Sequence, residues 1–176
     1  LRIMSRRADA QLRYLAAQLP LQGSTLIDVG CGYGELIRRA ATLGAVASGL
    51  EFDPQTIAHC AENGLEVEQI ADEADIAVRA GHGVAQLVVM SHLLEHLRQP
   101  VELLAGLGQT TVLIEVPNYR VDCAEQFRDL EGHLSFFDPA SLRRTLDAAG
   151  MEVLSLQRFG PSEGLFHHDR YRVPRK

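Results

Sequence analysis

Long apolar runs are missing from this chain. No stretch approaches the roughly 18 to 20 apolar residues of a membrane-spanning helix, and the basic N-terminal segment has no apolar leader core, so neither a span nor a secretory leader is expected. Cysteine is scarce: Cys31, Cys60 and Cys123 are an odd set with neither zinc-ligand spacing nor a disulfide pattern, which points to a reduced, cytoplasmic setting. Positive charge is also short. Against 23 Asp and Glu stand 17 Lys and Arg, a net charge of −6, the wrong balance for a nonspecific nucleic-acid binder. Internal repeats and low-complexity linkers are absent. What remains is 176 residues, 46% hydrophobic and 23% charged, the size and composition of a single domain over 1–176 with a substantial core and no second lobe. The sequence opens on Leu1 rather than Met, as a piece of a longer chain would.

Periodicity gives the order of elements. Ala8, Leu12, Leu15, Ala16 and Leu19 recur at helical spacing and Pro20 closes them, predicting a leading amphipathic helix over about 6–18, within an N-terminal segment 1–20. A strand over 25–29, a helix over 35–43 ended by Gly44, and a strand over 45–50 follow. Asp53-Pro54 caps and opens a helix to about 63–64. Then come a weak strand over 66–70, an irregular or briefly helical stretch over 71–83, a strand over 86–91, helices over 93–98 and 101–107, and a strand over 111–116. An insertion of mixed character over 118–135 precedes a helix over 139–149, ended by Gly150, and late strands over 151–157 and 171–173. This β-α alternation predicts an α/β fold, a parallel sheet with helices on both faces.

The most informative run is Thr25-Leu26-Ile27-Asp28-Val29-Gly30-Cys31-Gly32-Tyr33-Gly34-Glu35-Leu36, an apolar strand that turns through alternating glycines into a helix. Such a turn lets a ligand lie against bare backbone at a helix N-terminus. The spacing is G-x-G-x-G, not the dinucleotide G-x-G-x-x-G, with Glu35 where the last small residue belongs. With Asp28 at the strand end, two carboxylates flank the turn. A ligand carrying a cation suits it better than a diphosphate. Cys31 reads as a small turn residue, since no base lies near it in sequence. Glu51, at the end of the second strand and about twenty residues past the glycines, is placed to accept both hydroxyls of a ribose; Asp53 reads as the helix cap.

At the glycine turn the chain resembles the class I S-adenosylmethionine-dependent methyltransferases, whose first motif is [VIL]-D-x-G-C-G-x-G, and the likeness runs from about residue 24 to 157. Val88-Val89-Met90-Ser91-His92-Leu93-Leu94-Glu95-His96-Leu97 is similar to the "hxxLEHL" segment of the ubiquinone O-methyltransferase-like subgroup. Glu115-Val116-Pro117-Asn118 and Gly132-His133-Leu134-Ser135-Phe136-Phe137-Asp138-Pro139-Ala140-Ser141-Leu142 resemble its "EvPN" and "H-x-x-x-F-s-p-x-S-L" segments, ahead of Ala149-Gly150-Met151. Against the Y-H-E-H-x-S-Y-F stretch of sugar C-methyltransferases, 130–137 keeps only the last histidine, the serine and an aromatic ending.

The resemblance implies a Rossmann-like seven-stranded, mostly parallel sheet of order 3-2-1-4-5-7-6, the last strand antiparallel. It implies S-adenosylmethionine as methyl donor, S-adenosylhomocysteine as product and a small-molecule acceptor, a sugar, quinone-like ring or lipid metabolite, methylated on oxygen or carbon. Donor contacts would come from Asp28, Gly30, Cys31, Gly32, Gly34, Glu51, Phe52, Ser91 and His92. Asp72 is favoured for the adenine amino group, with Glu73 and Asp75 as alternatives. His133 is the best candidate for a general base, and equally a structural histidine bonded to a loop carbonyl; His92 would lie near the sulfonium. Acceptor entry is expected between the 118–135 insertion and the N-terminal helix.

Three other readings compete with this one. His92-x-x-Glu95-His96 matches the H-x-x-E-H zinc pattern, which needs a continuous helix and a third ligand; His92 follows a β-branched run directly, so no metal is expected. A nicotinamide oxidoreductase is disfavoured by Glu35. The alternative function is a catalytically silent donor-binding domain acting as a partner or regulatory module.

Overall fold

The structure is a computed structural model and describes residues 2–119, 132–159 and 168–173. Strands β1 (Thr25–Val29), β2 (Val46–Glu51), β3 (Val67–Gln69), β4 (Leu87–Ser91) and β5 (Thr111–Pro117) run parallel in the order β3-β2-β1-β4-β5. The parallel α/β sheet that the alternation predicts is present in that order. Beyond β5 come β6 (Ser155–Phe159) and β7 (His168–Val173); β7 lies next to β5 and pairs antiparallel with both neighbours.

The central strands are apolar on both faces because both are covered. Val88 and Met90 of β4 point into one core and Leu87 and Val89 into the other. On the first face Ile76 and Ala80 of α4 (Glu73–Ala80), Leu103 and Leu104 of α5 (Pro100–Gly106), and Leu142 and Leu146 of α6 (Pro139–Ala148) close the core. On the second, Ala8, Leu12 and Leu15 of α1 (Arg2–Ala16) pack with Leu36 and Ala40 of α2 (Glu35–Thr42). The remaining helix, α3 (Pro54–Glu62), buries Cys60 beside the sheet. Each large aliphatic side chain so buried contributes about 1.5–3 kcal/mol relative to exposure.

Local chemistry sets the helix ends. Asp53 accepts from the Gln55 and Thr56 amides at 3.2 and 3.1 Å and caps α3, as its sequence predicts. At α6, Asp138 and Ser141 form a reciprocal capping box. The ambiguous stretch 71–83 contains α4, opened by Asp72, whose side chain accepts from the Ala74 and Asp75 amides at 2.9 and 3.1 Å.

Two expected elements differ. In place of a helix over 93–98 there is a single 3₁₀ turn, Leu94–His96. His92, at φ +53°, turns the chain out of β4, and the Glu95 carbonyl, which a continuing helix would need, accepts instead from the Leu134 and Ser135 amides at 2.8 and 3.0 Å. The amides of Arg98 and Gln99 turn to the Glu73 carboxylate. The strand expected from 151 starts only at Ser155, because Met151 still donates to Leu146 at the end of α6. Of the insertion expected over 118–135, residues 120–131 lie outside the described residues, as does Cys123.

Candidate active site

The strand order reverses between β1 and β4, so the loops leaving their C-terminal ends splay apart and open a crevice. Asp28, Glu51, Ser91 and Glu115 all sit at or beside this edge. Gly30, Gly32 and Gly34 each hold positive φ, at 70°, 52° and 70°. A Cβ on Gly34 would lie 2.4 Å from Leu65 Cδ1, so packing forbids it, whereas one on Gly32 would meet nothing within 4 Å. The second glycine therefore faces open space.

That space is a cavity of about 210 Å³ lined by Arg7, Gln11, Asp28, Gly30, Gly32 and Ser91, among others. Asp28 is buried at 6% exposure; burial first, and the Glu51 charge second, push its pKa up to about 8. A cation brought beside it would restore the ionised form. Glu35 also lines the cavity, and its carboxylate is held by Arg38 and Arg39 at 2.8 and 2.7 Å. Cys31 is buried, and burial raises its thiol pKa, in keeping with a packing role.

Glu51 spans the gap between the two loops. Its Oε2 accepts from the Gly32 amide at 2.9 Å and its Oε1 from the Phe52 and Asp53 amides at 2.7 and 3.2 Å. The carboxylate is thus aimed at the glycine turn by backbone alone. Beyond it a second, wider cavity of about 910 Å³ is lined by Phe52, Asp72, Glu73, Leu93, His96 and Leu97, among others. The first cavity offers carboxylates and bare backbone, and the second an apolar wall that includes Phe52, Leu93 and Leu97. The chemistry of this donor set matches S-adenosylmethionine.

The segment from Ser91 to His96 links this cradle to a third group. Glu95 is fully buried, and neither carboxylate oxygen accepts a hydrogen bond among the described residues; His92 Nδ1 lies 3.3 Å from Oε1. Burying a carboxylate this completely is costly. Donor atoms of Glu95, His96 and His133 lie within 4.8 Å of one another. The continuous helix that the zinc pattern requires does not form, because the turn is 3₁₀ and His92 precedes it at positive φ. His133 is held by its neighbours: the Tyr119 hydroxyl lies 2.8 Å from its Nδ1 and the His96 ring stands edge-on at 4.5 Å. Burial, and then His96, keep its pKa below the ordinary histidine value. It is His96, through Nδ1, that bonds a loop carbonyl, that of Gly132, at 2.9 Å. Beside them Asn118, 9% exposed, has a side-chain amide with no partner among the described residues.

Several residues of this edge were not picked out from sequence. Gln11 donates to Glu115 Oε2 at 2.5 Å and Ser91 Oγ at 2.9 Å, and Arg7 lies 4.0 Å from Glu115 Oε1. These bonds seat α1 over the donor cavity. A polar Gln11 sharing a helix face with Ala8, Leu12 and Leu15 was the available signal. Tyr119 had none, since its partner lies fourteen residues away across the insertion.

The chain is similar to known proteins. A family model described as Methyltransferase domain matches residues 1–156. A ubiquinone biosynthesis O-methyltransferase from Methylococcus capsulatus is 27% identical over 183 residues, covering 89% of this chain and 76% of that one. Its namesake from Thiobacillus denitrificans is 27% identical over 167 residues, covering 83% and 72%. Among solved structures, magnesium protoporphyrin IX methyltransferase from Synechocystis PCC 6803 with bound SAH superposes with a TM-score of 0.75 at 15% identity, over 98% of this chain and 84% of that one, a likeness of fold.

Proposed function

The chain belongs to the methyltransferase domain family of class I S-adenosylmethionine-dependent enzymes, and from there we propose that it methylates a hydroxyl of a small-molecule acceptor, a quinone-like ring ahead of a sugar or a lipid headgroup. The observation that carries this is the junction of two chemistries on one sheet edge: a backbone cradle for a cationic donor and, across Ser91 and His92, a buried carboxylate with histidines. The relatives named for ubiquinone biosynthesis favour oxygen as the methylated atom and a quinone-like ring as its bearer.

In this reading the glycines 30, 32 and 34 let the donor approach the backbone. Asp28 takes its ammonium group, Arg7 its carboxylate, and Glu51 exchanges the Gly32 amide for the ribose hydroxyls. Phe52, Leu93 and Asp72 border the adenine; one Asp72 oxygen stays committed to the cap. Cys31 and Ser91 shape the walls, and His92 lines the reacting end. S-adenosylmethionine, once bound, supplies a methyl already activated by a sulfonium charge. What the protein adds is alignment, exclusion of water and removal of the acceptor's proton. His133 takes that proton as the hydroxyl oxygen forms its bond to the methyl carbon; the carbon–sulfur bond breaks and its electron pair stays on sulfur. Asn118, Tyr119 and His133, at the described ends of the mixed segment, border the acceptor, and β7 with β6 completes the seven-stranded order of the family. We read residues 1–176 as one cytoplasmic domain with no nucleic-acid partner; no helix among the described residues is long and apolar enough to cross a membrane.

The test is calorimetric titration with S-adenosylmethionine and S-adenosylhomocysteine, with Glu51→Ala as control, followed by methyl transfer to a panel of phenols, sugars and lipid headgroups. Saturable binding weakened about 10- to 100-fold in the control, with a methylated phenol, is the expected result. Binding without turnover on any acceptor would favour the silent donor-binding module. No binding by folded protein would overturn the donor site.

A further inference from the structure

We propose that Glu95, His96 and His133 form a site for a divalent transition-metal ion of the zinc class, and that the bound ion arrests methyl transfer by taking the ring nitrogen with which His133 would accept a proton. The binding needs nothing from the donor cradle; the arrest rests on the base reading of His133 given above.

On a continuous helix His92 and His96 would face one ion together. Here the chain leaves β4 at His92 with positive φ and makes a single 3₁₀ turn, and the third group comes from beyond the insertion instead. The Leu134 and Ser135 amides donate to the Glu95 carbonyl at 2.8 and 3.0 Å, which brings His133 alongside. The His96 and His133 rings then stand edge to face, with centroids 4.5 Å apart. One carboxylate oxygen of Glu95 and one nitrogen from each ring lie within 4.8 Å of one another. Small side-chain rotations bring such a set to the roughly 2.0–2.2 Å of zinc–nitrogen and zinc–oxygen bonds.

The surroundings suit a cation. Glu95 is fully buried and neither of its carboxylate oxygens accepts a hydrogen bond among the described residues. His92, with Nδ1 3.3 Å from Oε1, brings a positive charge only when protonated, whereas a divalent ion brings two. His96 Nδ1 lies 2.9 Å from the Gly132 carbonyl oxygen. A carbonyl only accepts, so Nδ1 carries the hydrogen and Nε2 keeps its lone pair, the way metal-binding histidines are oriented by an outer partner. Glu95 is buried, His133 half-buried and His96 exposed, which gives an ion a path in from solvent. Two imidazoles and one carboxylate favour zinc and its neighbours over magnesium and calcium, which take oxygen ligands. The His133 Nδ1 is already 2.8 Å from the Tyr119 hydroxyl, so an ion and an acceptor hydroxyl compete for the other nitrogen of that ring.

The experiment titrates the full chain, stripped of metal by a chelator, with Zn²⁺, Co²⁺ and Mg²⁺ at pH 7.5, using calorimetry and the visible spectrum of cobalt. The expected result is one equivalent of zinc or cobalt bound, a cobalt spectrum of nitrogen and oxygen ligands, and no saturable magnesium binding. Glu95→Gln, His96→Gln and His133→Gln should each weaken zinc binding by more than the roughly 10- to 100-fold that outer partners of a metal site are worth. Of these, His96→Gln alters an exposed side chain and so guards against a folding artefact. Zinc affinity kept in His96→Gln, or a thiolate-to-cobalt band in the near ultraviolet, overturns the site. With a phenol found to be methylated, one equivalent of zinc should lower kcat about 100-fold, leave donor affinity unchanged, be reversed by chelator, and fail to act on His96→Gln. Zinc bound with methylation undiminished overturns the arrest. Metal titration needs neither donor nor acceptor, so zinc bound by a protein that ignores S-adenosylmethionine would sink the methyltransferase reading and leave the metal site standing.

Discussion

The β1–β2 half of the sheet edge and the β4–β5 half are built from different materials. Around Gly30, Gly32 and Glu51 the work is done by backbone: positive-φ glycines and a carboxylate whose two oxygens accept from three amides. Around Glu95, His133 and Asn118 it is done by side chains, and the Glu95 carboxylate and the Asn118 amide are buried without hydrogen-bond partners among the described residues. The first half is finished before any ligand arrives. The second holds buried polar groups that the described residues leave without hydrogen bonds.

That contrast can be broken most severely at Gly32. A Gly32→Val change strains a residue at φ 52° and fills the open space above it, so donor binding should fall by at least about 100-fold, beyond the roughly 1–2 kcal/mol of left-handed strain alone. Calorimetry against S-adenosylhomocysteine reads the loss, and circular dichroism checks the fold. Next comes His133→Gln, which spares the donor half. The kcat for methyl transfer should drop about 100-fold or more with donor affinity unchanged, and the fall in wild-type rate toward low pH should lie below the ordinary histidine range, since His133 must be neutral to accept a proton. If that variant lost donor binding as well, the two halves would not be separable.

A smaller effect is expected from Glu51→Ala. Removing charge-assisted hydrogen bonds should cost about 1.5–3 kcal/mol, close to 10- to 100-fold in donor affinity, and the freed Gly32 amide should exchange faster with solvent in deuterium-exchange mass spectrometry. Least in size and sharpest in form is Asp28→Asn. The folded-state pKa of Asp28 is pushed up to about 8, above its unfolded value, so the native state holds a proton the unfolded chain has released. Stability from this group is therefore present at low pH and is lost as pH rises from about 4 to about 8. Asn carries no such liability: the melting-temperature difference in its favour should grow from pH 5 to pH 8, at roughly 2–4 °C per kcal/mol. In the wild type, cationic donor binding near pH 7 should release a proton and show a buffer-dependent enthalpy; in Asp28→Asn that dependence should vanish.

What could be read from sequence divides along the same line. The glycine turn, Glu51 at the next strand end and the Asp53 cap depend on contacts within about twenty residues, and their spacing is written in one short run. The parallel order β3-β2-β1-β4-β5 followed from the alternation and the family likeness together. The second half depends on returns across the chain. A helix over 93–98 was a fair reading of Leu93-Leu94-Glu95-His96-Leu97, but the Glu95 carbonyl is claimed by amides almost forty residues later, and no local pattern announces that. Tyr119 and Gln11 escaped notice for the same reason: each is defined by a partner on another element. Asp72 was read for adenine and is visible first as a cap, the more local of its two roles.

The stretch from Ser91 to His96 belongs to both halves at once. Ser91 walls the donor cavity and bonds Glu115, while Glu95, four residues on, anchors the His133 segment through its carbonyl. Any adjustment the donor imposes on this short span reaches the acceptor's neighbours with no domain motion. Whatever factor donor occupancy adds to acceptor affinity must, by thermodynamic reciprocity, be returned by the acceptor to the donor. Through this six-residue span the affinities for donor and acceptor would then rise or fall together.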